Sequence, residues 1–250
     1  LDANGGVELY QTSFAYHRYS DSFNQTNKDL KQYIDNLIRN CGQAKPILQF
    51  NRTALRQKWF KENYSDSINI YLVRNPRHQF ASYYESYKKS KGGGFLRTEL
   101  MIASLSLESE SFKGIKHYVP SLREPDRSLN AFQLFSYFDE AIQKFSLEEL
   151  YLIFLWHWIT ALLEAFRYSD IIIDCSELSD NLIYQHEVAL YFLKNYIYLD
   201  LTDCSLPVRN SPLSVSKCNE LEKTIFHHFS SLIKKLLSDY SKRYFVSFIW

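Results

Sequence analysis

Apolar residues along this chain follow two spacings, one typical of helices and one typical of buried strands. Helical spacing covers 28–40, 53–64, 77–89, 146–170 and 219–240, and a further helix is predicted from a cap at Asp180 to about residue 196. Short apolar runs predict strands at 45–51, 68–74 and 171–175, and a closing strand at 244–250. Strands that alternate with helices, and that are apolar at nearly every position, indicate an α/β fold with a parallel sheet.

Capping residues support several of these boundaries. Asn75 and Pro76 follow the second strand, and Asn is a common helix cap while Pro suits the first helical position. Ser146 and Glu149 form a capping-box pair at the start of the long apolar helix. His157 lies between two tryptophans of that helix, and we expect it to be a core histidine with a partner.

Residues 90–130 interrupt the periodic pattern. This range combines a run of three consecutive glycines, a Ser/Glu-rich turn and two prolines. We therefore predict a single domain over 1–250 in which 90–130 is an insertion or lid.

Composition narrows the functional classes. Lys and Arg number 29 against 28 Asp and Glu, so the net charge of +1 gives no reason to expect nucleic-acid binding. The four cysteines lack CxxC spacing, and we expect no metal. No apolar run reaches the roughly 18 residues of a membrane span, and we predict a cytoplasmic protein, with the lumen of the secretory pathway as the alternative.

One junction between strand and helix carries candidate chemistry. Arg74 ends the second strand, and Ser82 follows eight residues later in the predicted helix. An arginine fork at a strand's carboxyl end, next to free N–H groups at a helix start, suits the binding of a phosphate.

The string YLVRNPRHQFASYYES (71–86) resembles the 3′-phosphate-binding motif of sulfotransferases that use 3′-phosphoadenosine 5′-phosphosulfate (PAPS). The resemblance covers 45–89 well and 147–197 loosely. It implies a P-loop-type three-layer sandwich with a central parallel sheet, in which Arg74 and Ser82 hold the donor's 3′-phosphate. It also implies sulfuryl transfer from PAPS to a hydroxyl of an acceptor. We predict a carbohydrate or polysaccharide acceptor, because the charges of 90–130, which we expect to line the acceptor cleft, are mixed with a slight basic excess that suits a polar or anionic glycan.

The sequence departs from the family in one place. The family's phosphosulfate loop, of the type Pro-Arg-Ser-Gly-Thr/Ser-Thr, does not occur between residues 1 and 250. Our expectation is that this loop and its N-terminal strand lie upstream of Leu1 or have been lost.

Three further residues are candidates for catalysis. Arg52 and Arg56 follow the first predicted strand, on the rim predicted for Arg74, and could stabilise charge on the transferred group. His17, in the aromatic string FAYHRYS, is the preferred general base, because glycan-modifying members of the family carry a His or Glu in the corresponding region; Glu8 is its alternative.

Two other functions remain open at this point. One is a P-loop kinase relative, which would share the architecture and also place arginines near phosphates. The other is a non-catalytic nucleotide- or glycan-binding module on a degenerate sulfotransferase scaffold.

Overall fold

The computed structural model describes residues 8–11, 14, 28–50, 54–90, 94–126, 128–201, 204–207 and 209–239. Its helices and strands, in chain order, are α1 (Lys28–Asn40), α2 (Gln57–Asn63, preceded by a 3-10 turn at Ala54–Arg56), β1 (Ile70–Val73), α3 (Pro76–Ser90), α4 (Gly94–Leu105), α5 (Ala131–Ala141), α6 (Leu147–Tyr168), β2 (Ile171–Asp174), α7 (Cys175–Asp180), α8 (Leu182–Lys194) and α9 (Val215–Asp239). The fold is mixed α/β and mostly helical.

The two strands β1 and β2 form a parallel pair. Ile70 lies opposite Ile171, and the register continues to Val73 opposite Asp174. Parallel pairing of these two runs is what the sequence predicted. In the described part of the chain the sheet has two strands, which does not confirm the predicted sandwich with a larger central sheet.

Helices cover β2 on both faces. Ile172 packs into the main core with α6, whereas Ile171 and Ile173 pack against α8 on the opposite face. β1 is covered on one face, and Leu72 on its other face is 58% exposed. The nearly continuous apolar sequence of β2 therefore reflects burial on two sides.

The strand predicted at 45–51 is wrong for its described residues. Residues 45–50 belong to no helix or strand among the described residues, and Ile47 is 86% exposed. Leu48 and Phe50 instead pack against a small separate cluster built around Trp59. These two apolar side chains are partly buried against helices, so their burial does not require a sheet. The predicted strand at 244–250 lies outside the described residues.

Helix α6 is the centre of the core. Ser146 caps it, with Ser146 and Glu149 each accepting the other's backbone N–H, as the sequence predicted. Helices α2, α4 and α9 pack around it, so its side chains are buried on nearly all sides. Among the described residues it is the one helix long and apolar enough to cross a membrane, but 83% of its apolar window is buried inside the fold, as in a core helix.

The prediction that 90–130 lacks regular structure is wrong over much of its length. Helix α4 begins at Gly94 and is buried from Leu100 to Ser104. Beyond it, Phe112, Ile115 and Leu122 are completely buried in the main core. The role of this range as an insertion or lid stays a prediction, and any such movement is restricted to the parts outside the core.

One predicted cap is displaced by a single residue. Asp180 ends α7, and Asn181 caps α8 by accepting from the backbone N–H groups of Ile183 and Tyr184. The two helices are thus separated by one residue. So short a break cannot be predicted from the spacing of apolar residues.

Candidate functional site

The junction between β1 and α3 has the local geometry that the sequence predicted. Arg74 follows the last residue of β1, and Pro76 is the first residue of α3. The Asn75 side chain accepts from the backbone N–H of Arg77 at 3.0 Å. Ser82 lies in the second turn of α3, so the two predicted phosphate ligands belong to one strand–helix unit.

The Arg74 side chain lies at the carboxyl edge of the sheet, under a connecting segment. Its Nη2 donates to the carbonyl of Pro207 at 3.1 Å, while its own carbonyl accepts from Trp158 Nε1 at 3.1 Å. Its Nε is buried and has no hydrogen-bond partner in the described part of the chain. A guanidinium has five N–H donors, so Arg74 retains donors that an anion could use.

The neighbouring strand brings a carboxylate and a thiol to the same edge. The Asp174 carboxylate caps α7 and accepts from the backbone N–H of Ser176 at 2.8 Å. Burial, with the Asp174 charge adding and the Arg74 charge opposing, raises the pKa of the Cys175 thiol to about 11. The thiol is therefore protonated at neutral pH, which argues against a nucleophilic role.

A largely buried group of ionisable side chains near Arg74 was not predicted from the sequence. His157 Nδ1 contacts the Glu99 carboxylate, which confirms that His157 is a core histidine with a partner. The Tyr83 hydroxyl accepts from Gln79 Nε2 at 2.8 Å. Burial raises the pKa of Tyr83, and the Glu99 charge adds to this rise while the Arg74 charge opposes it. No sequence signal links Glu99 to His157, because the two residues are 58 positions apart on different helices.

Of the three predicted catalytic residues, Arg56 is the one that the structure describes. Arg56 is 4% exposed, lies in the 3-10 turn that packs on α6, and donates to the carbonyl of Phe14 at 2.8 Å. A role for Arg56 at the sheet edge would require this side chain to leave its buried position. His17 and Arg52 lie outside the described residues, and their roles stay predictions.

The described ranges contain no group of three or more His, Cys, Asp or Glu side chains that could hold a metal ion.

Comparisons of the chain with protein-family models, with curated proteins and with solved structures found no match. The resemblance to sulfotransferases therefore rests on the sequence strings at 45–89 and 147–197.

Proposed function

We propose that this chain transfers a sulfuryl group from PAPS to a hydroxyl of a carbohydrate or polysaccharide acceptor. The observation that supports this proposal is the placement of Arg74 at the carboxyl end of β1, directly before a capped helix that carries Ser82. The three-layer sandwich of the sulfotransferases, with a larger central sheet, belongs to the same proposal.

The donor's 3′-phosphate would be held at the start of α3. Arg74 supplies charged N–H donors, one of which now bonds to the Pro207 carbonyl and would be taken over by a phosphate oxygen. Ser82 supplies a hydroxyl, and the start of α3 supplies a positive dipole end. The buried Nε of Arg74, which has no partner among the described residues, is consistent with an anion that completes the site.

The chemistry is an in-line displacement. The acceptor hydroxyl oxygen attacks sulfur, the bond from sulfur to the bridging oxygen of the donor breaks, and adenosine 3′,5′-bisphosphate leaves. The hydroxyl proton passes to a base, for which His17 is our candidate, while Arg52 and Arg56 are candidates to stabilise the charge on the transferred group.

Nucleotide binding tests the donor site. Calorimetry would compare adenosine 3′,5′-bisphosphate with adenosine 5′-monophosphate, which lacks the 3′-phosphate. We expect the natural chain to prefer the bisphosphate, and Arg74→Ala to remove about 2 kcal/mol of that preference, the scale for a lost charged hydrogen bond. Ser82→Ala should remove a smaller part.

The matched control is Arg123→Ala, since Arg123 is exposed and donates to carbonyls of its own loop. Unchanged bisphosphate affinity in Arg74→Ala would reject the donor site. An assay with labelled PAPS against a glycan panel and a phenol panel tests the reaction: transfer to phenols alone would overturn the carbohydrate assignment. Binding without transfer would favour the non-catalytic module, and phosphate transfer from ATP would favour the kinase relative.

A further inference from the structure

A pocket of about 260 Å³ lies between the start of α3 and the helices α6 and α9. We call it the α6–α9 pocket. Helix α6 contributes one face, in which residues recur at helical spacing, and α9 contributes residues one and three turns apart. The lining residues are Asn75, Pro76, Arg77, Trp158, Ile159, Leu162, Leu163, Phe166, Glu222, Phe226 and Ile233.

The walls of the α6–α9 pocket are apolar and partly aromatic. Trp158, Phe166 and Phe226 are its aromatic lining residues, and Ile159, Leu162, Leu163 and Ile233 are its aliphatic ones. A cavity of about 150 Å³ is enough to hold benzene, so a volume near 260 Å³ has room for two fused rings. Flat aromatic ligands suit such walls, because they bury much apolar surface and pack against other rings.

The rim of the pocket is polar and electrically balanced. Glu222 accepts from Arg77 through both carboxylate oxygens, at 2.7 and 2.6 Å. Its Oε1 also accepts from the Tyr151 hydroxyl at 2.6 Å. Among the described residues, Oε1 therefore takes two hydrogen bonds and Oε2 takes one, which leaves Oε2 able to accept one more.

This rim favours a neutral donor over an anion. A ligand carboxylate or sulfonate would meet the Glu222 charge and would have to break its paired bonds to Arg77. A ligand with one N–H group can donate to Oε2 and leave the ion pair intact. A charged acceptor also makes the stronger class of hydrogen bond, so the donor should contribute measurably to affinity.

We propose that the α6–α9 pocket binds a small neutral bicyclic aromatic molecule that carries one N–H hydrogen-bond donor, which bonds to Glu222. The rings lie between α6 and α9, and the donor points to the rim at the start of α3. The pocket and the proposed donor site share the start of α3, but the pocket is lined by neither Arg74 nor Ser82, so ligand binding in the pocket can be tested separately from nucleotide binding.

Indole and 1-methylindole are the probes for a first test. They share the same rings, but the methyl group removes the only N–H donor. Titration followed by calorimetry or by ligand-observed NMR should show saturable binding of indole, with 1-methylindole about tenfold weaker, as expected for a lost bond to a carboxylate. Failure of the natural chain to bind indole would overturn the site, and equal affinities would overturn the role of Glu222.

Substitutions that fill the α6–α9 pocket test whether indole binds there. Leu162→Phe and Ile233→Phe add bulk from α6 and from α9, and each should lower indole affinity at least about tenfold. Leu193→Phe is the matched control, because Leu193 on α8 is 56% exposed and does not line the pocket.

Thermal unfolding identifies which of these variants fold, and two variants on separate helices keep the test independent of either one. Indole binding that is unchanged in a folded pocket-filling variant would place the ligand elsewhere and reject the proposal.

Discussion

Arg77 and Glu222 join the first turn of α3 to α9 through two parallel hydrogen bonds across 145 positions of sequence. Tyr151 on α6 donates to the same carboxylate, so one acidic group ties three helices together. The side chains of Arg77 and Glu222 are 28% and 13% exposed, which makes this a partly buried ion pair. The hydrogen bond from Arg77 to Glu222 raises the pKa of the Arg77 guanidinium. Burial, together with the hydrogen bond to Glu222, raises the pKa of the Tyr151 hydroxyl.

Removing this carboxylate should destabilise the fold. Glu222→Ala leaves the Arg77 guanidinium and the Tyr151 hydroxyl without their acceptor, and we expect a loss of about 2 kcal/mol in the free energy of unfolding. Urea unfolding followed by circular dichroism measures it.

Glu220→Ala is the matched control for this prediction. Glu220 lies on the same helix, and its side chain is 64% exposed and pairs with Lys217 at 3.1 Å. Exposed pairs contribute little, so this variant should stay within about 0.5 kcal/mol of the natural chain. Equal losses in the two variants would show that the bonds of Glu222 to Arg77 and Tyr151 stabilise the fold no more than an exposed pair does.

Local signals in the sequence predicted helices and caps well. Asn75 and Ser146 cap α3 and α6 because a side-chain oxygen next to a helix start can accept from one of the free backbone N–H groups there. Such interactions span two or three residues, so they are visible in the sequence. The parallel pairing of 70–73 with 171–174 was also predictable, since both runs are apolar and are followed by helices.

Contacts between distant segments were not predictable in the same way. The run at 45–51 has the composition of a strand, but composition does not say whether a neighbouring strand exists, and its described residues cover a helical cluster instead. The glycine run, the Ser/Glu-rich turn and the prolines of 90–130 predicted a segment without a steady period, although α4 in this range packs into the core. The Glu99–His157 contact and the α6–α9 pocket depend on which helices pack against each other. The apolar spacing within a helix does not specify its partner, so neither feature could be predicted from the sequence.

The cap of α6 offers a prediction about stability. Ser146→Ala removes the side-chain oxygen that accepts from the Glu149 backbone N–H at 3.2 Å. Loss of such a cap costs about 1 kcal/mol, and α6 is the central core helix, so fraying at its start should be felt by the whole domain. Chemical unfolding is the measurement. Ser176→Ala is the control, because Ser176 contributes its backbone N–H, and not its side chain, to the cap of α7. This substitution should leave the free energy of unfolding nearly unchanged. Similar losses of stability in the two variants would contradict the role of the Ser146 cap.

Acid should weaken the contact between α1 and the end of α2. Asp35 accepts from Lys31 at 2.8 Å and from the Tyr64 hydroxyl at 3.0 Å. The hydrogen bond from Lys31, above all, lowers the pKa of Asp35 in the folded chain. The unfolded chain therefore binds a proton more readily, so this contribution to stability is present above the ordinary Asp pKa of about 4 and is lost as the pH falls through the folded value.

The measurement is the melting temperature between pH 2.5 and pH 6 for the natural chain, Asp35→Asn and Asp66→Asn. Asp35→Asn should flatten the low-pH end of the profile, because it removes the titrating group. Asp66→Asn changes an exposed carboxylate near the end of α2 and should leave the slope as it is. An unchanged profile in Asp35→Asn would show that other carboxylates govern the acid response.

A glycine at a close contact gives the last prediction. A Cβ added to Gly114 would lie 2.9 Å from Trp156 Cη2 and 3.1 Å from His228 Cε1. The backbone at Gly114 has φ −78°, which any residue adopts, so an alanine there meets a purely steric obstacle. Trp156 is 1% exposed, so its ring cannot move aside without disturbing the core. We therefore expect Gly114→Ala to lower the free energy of unfolding by about 1–3 kcal/mol, the range for overpacking a core.

The comparison is Gly42→Ala, where φ is +60° and no atom lies within 4 Å, so its cost is conformational and about 1–2 kcal/mol. Shortening the neighbour separates the two causes: His228→Ala should recover part of the loss in Gly114→Ala but none of that in Gly42→Ala. Unfolding measurements that show strictly additive losses for Gly114→Ala and His228→Ala would contradict the steric explanation.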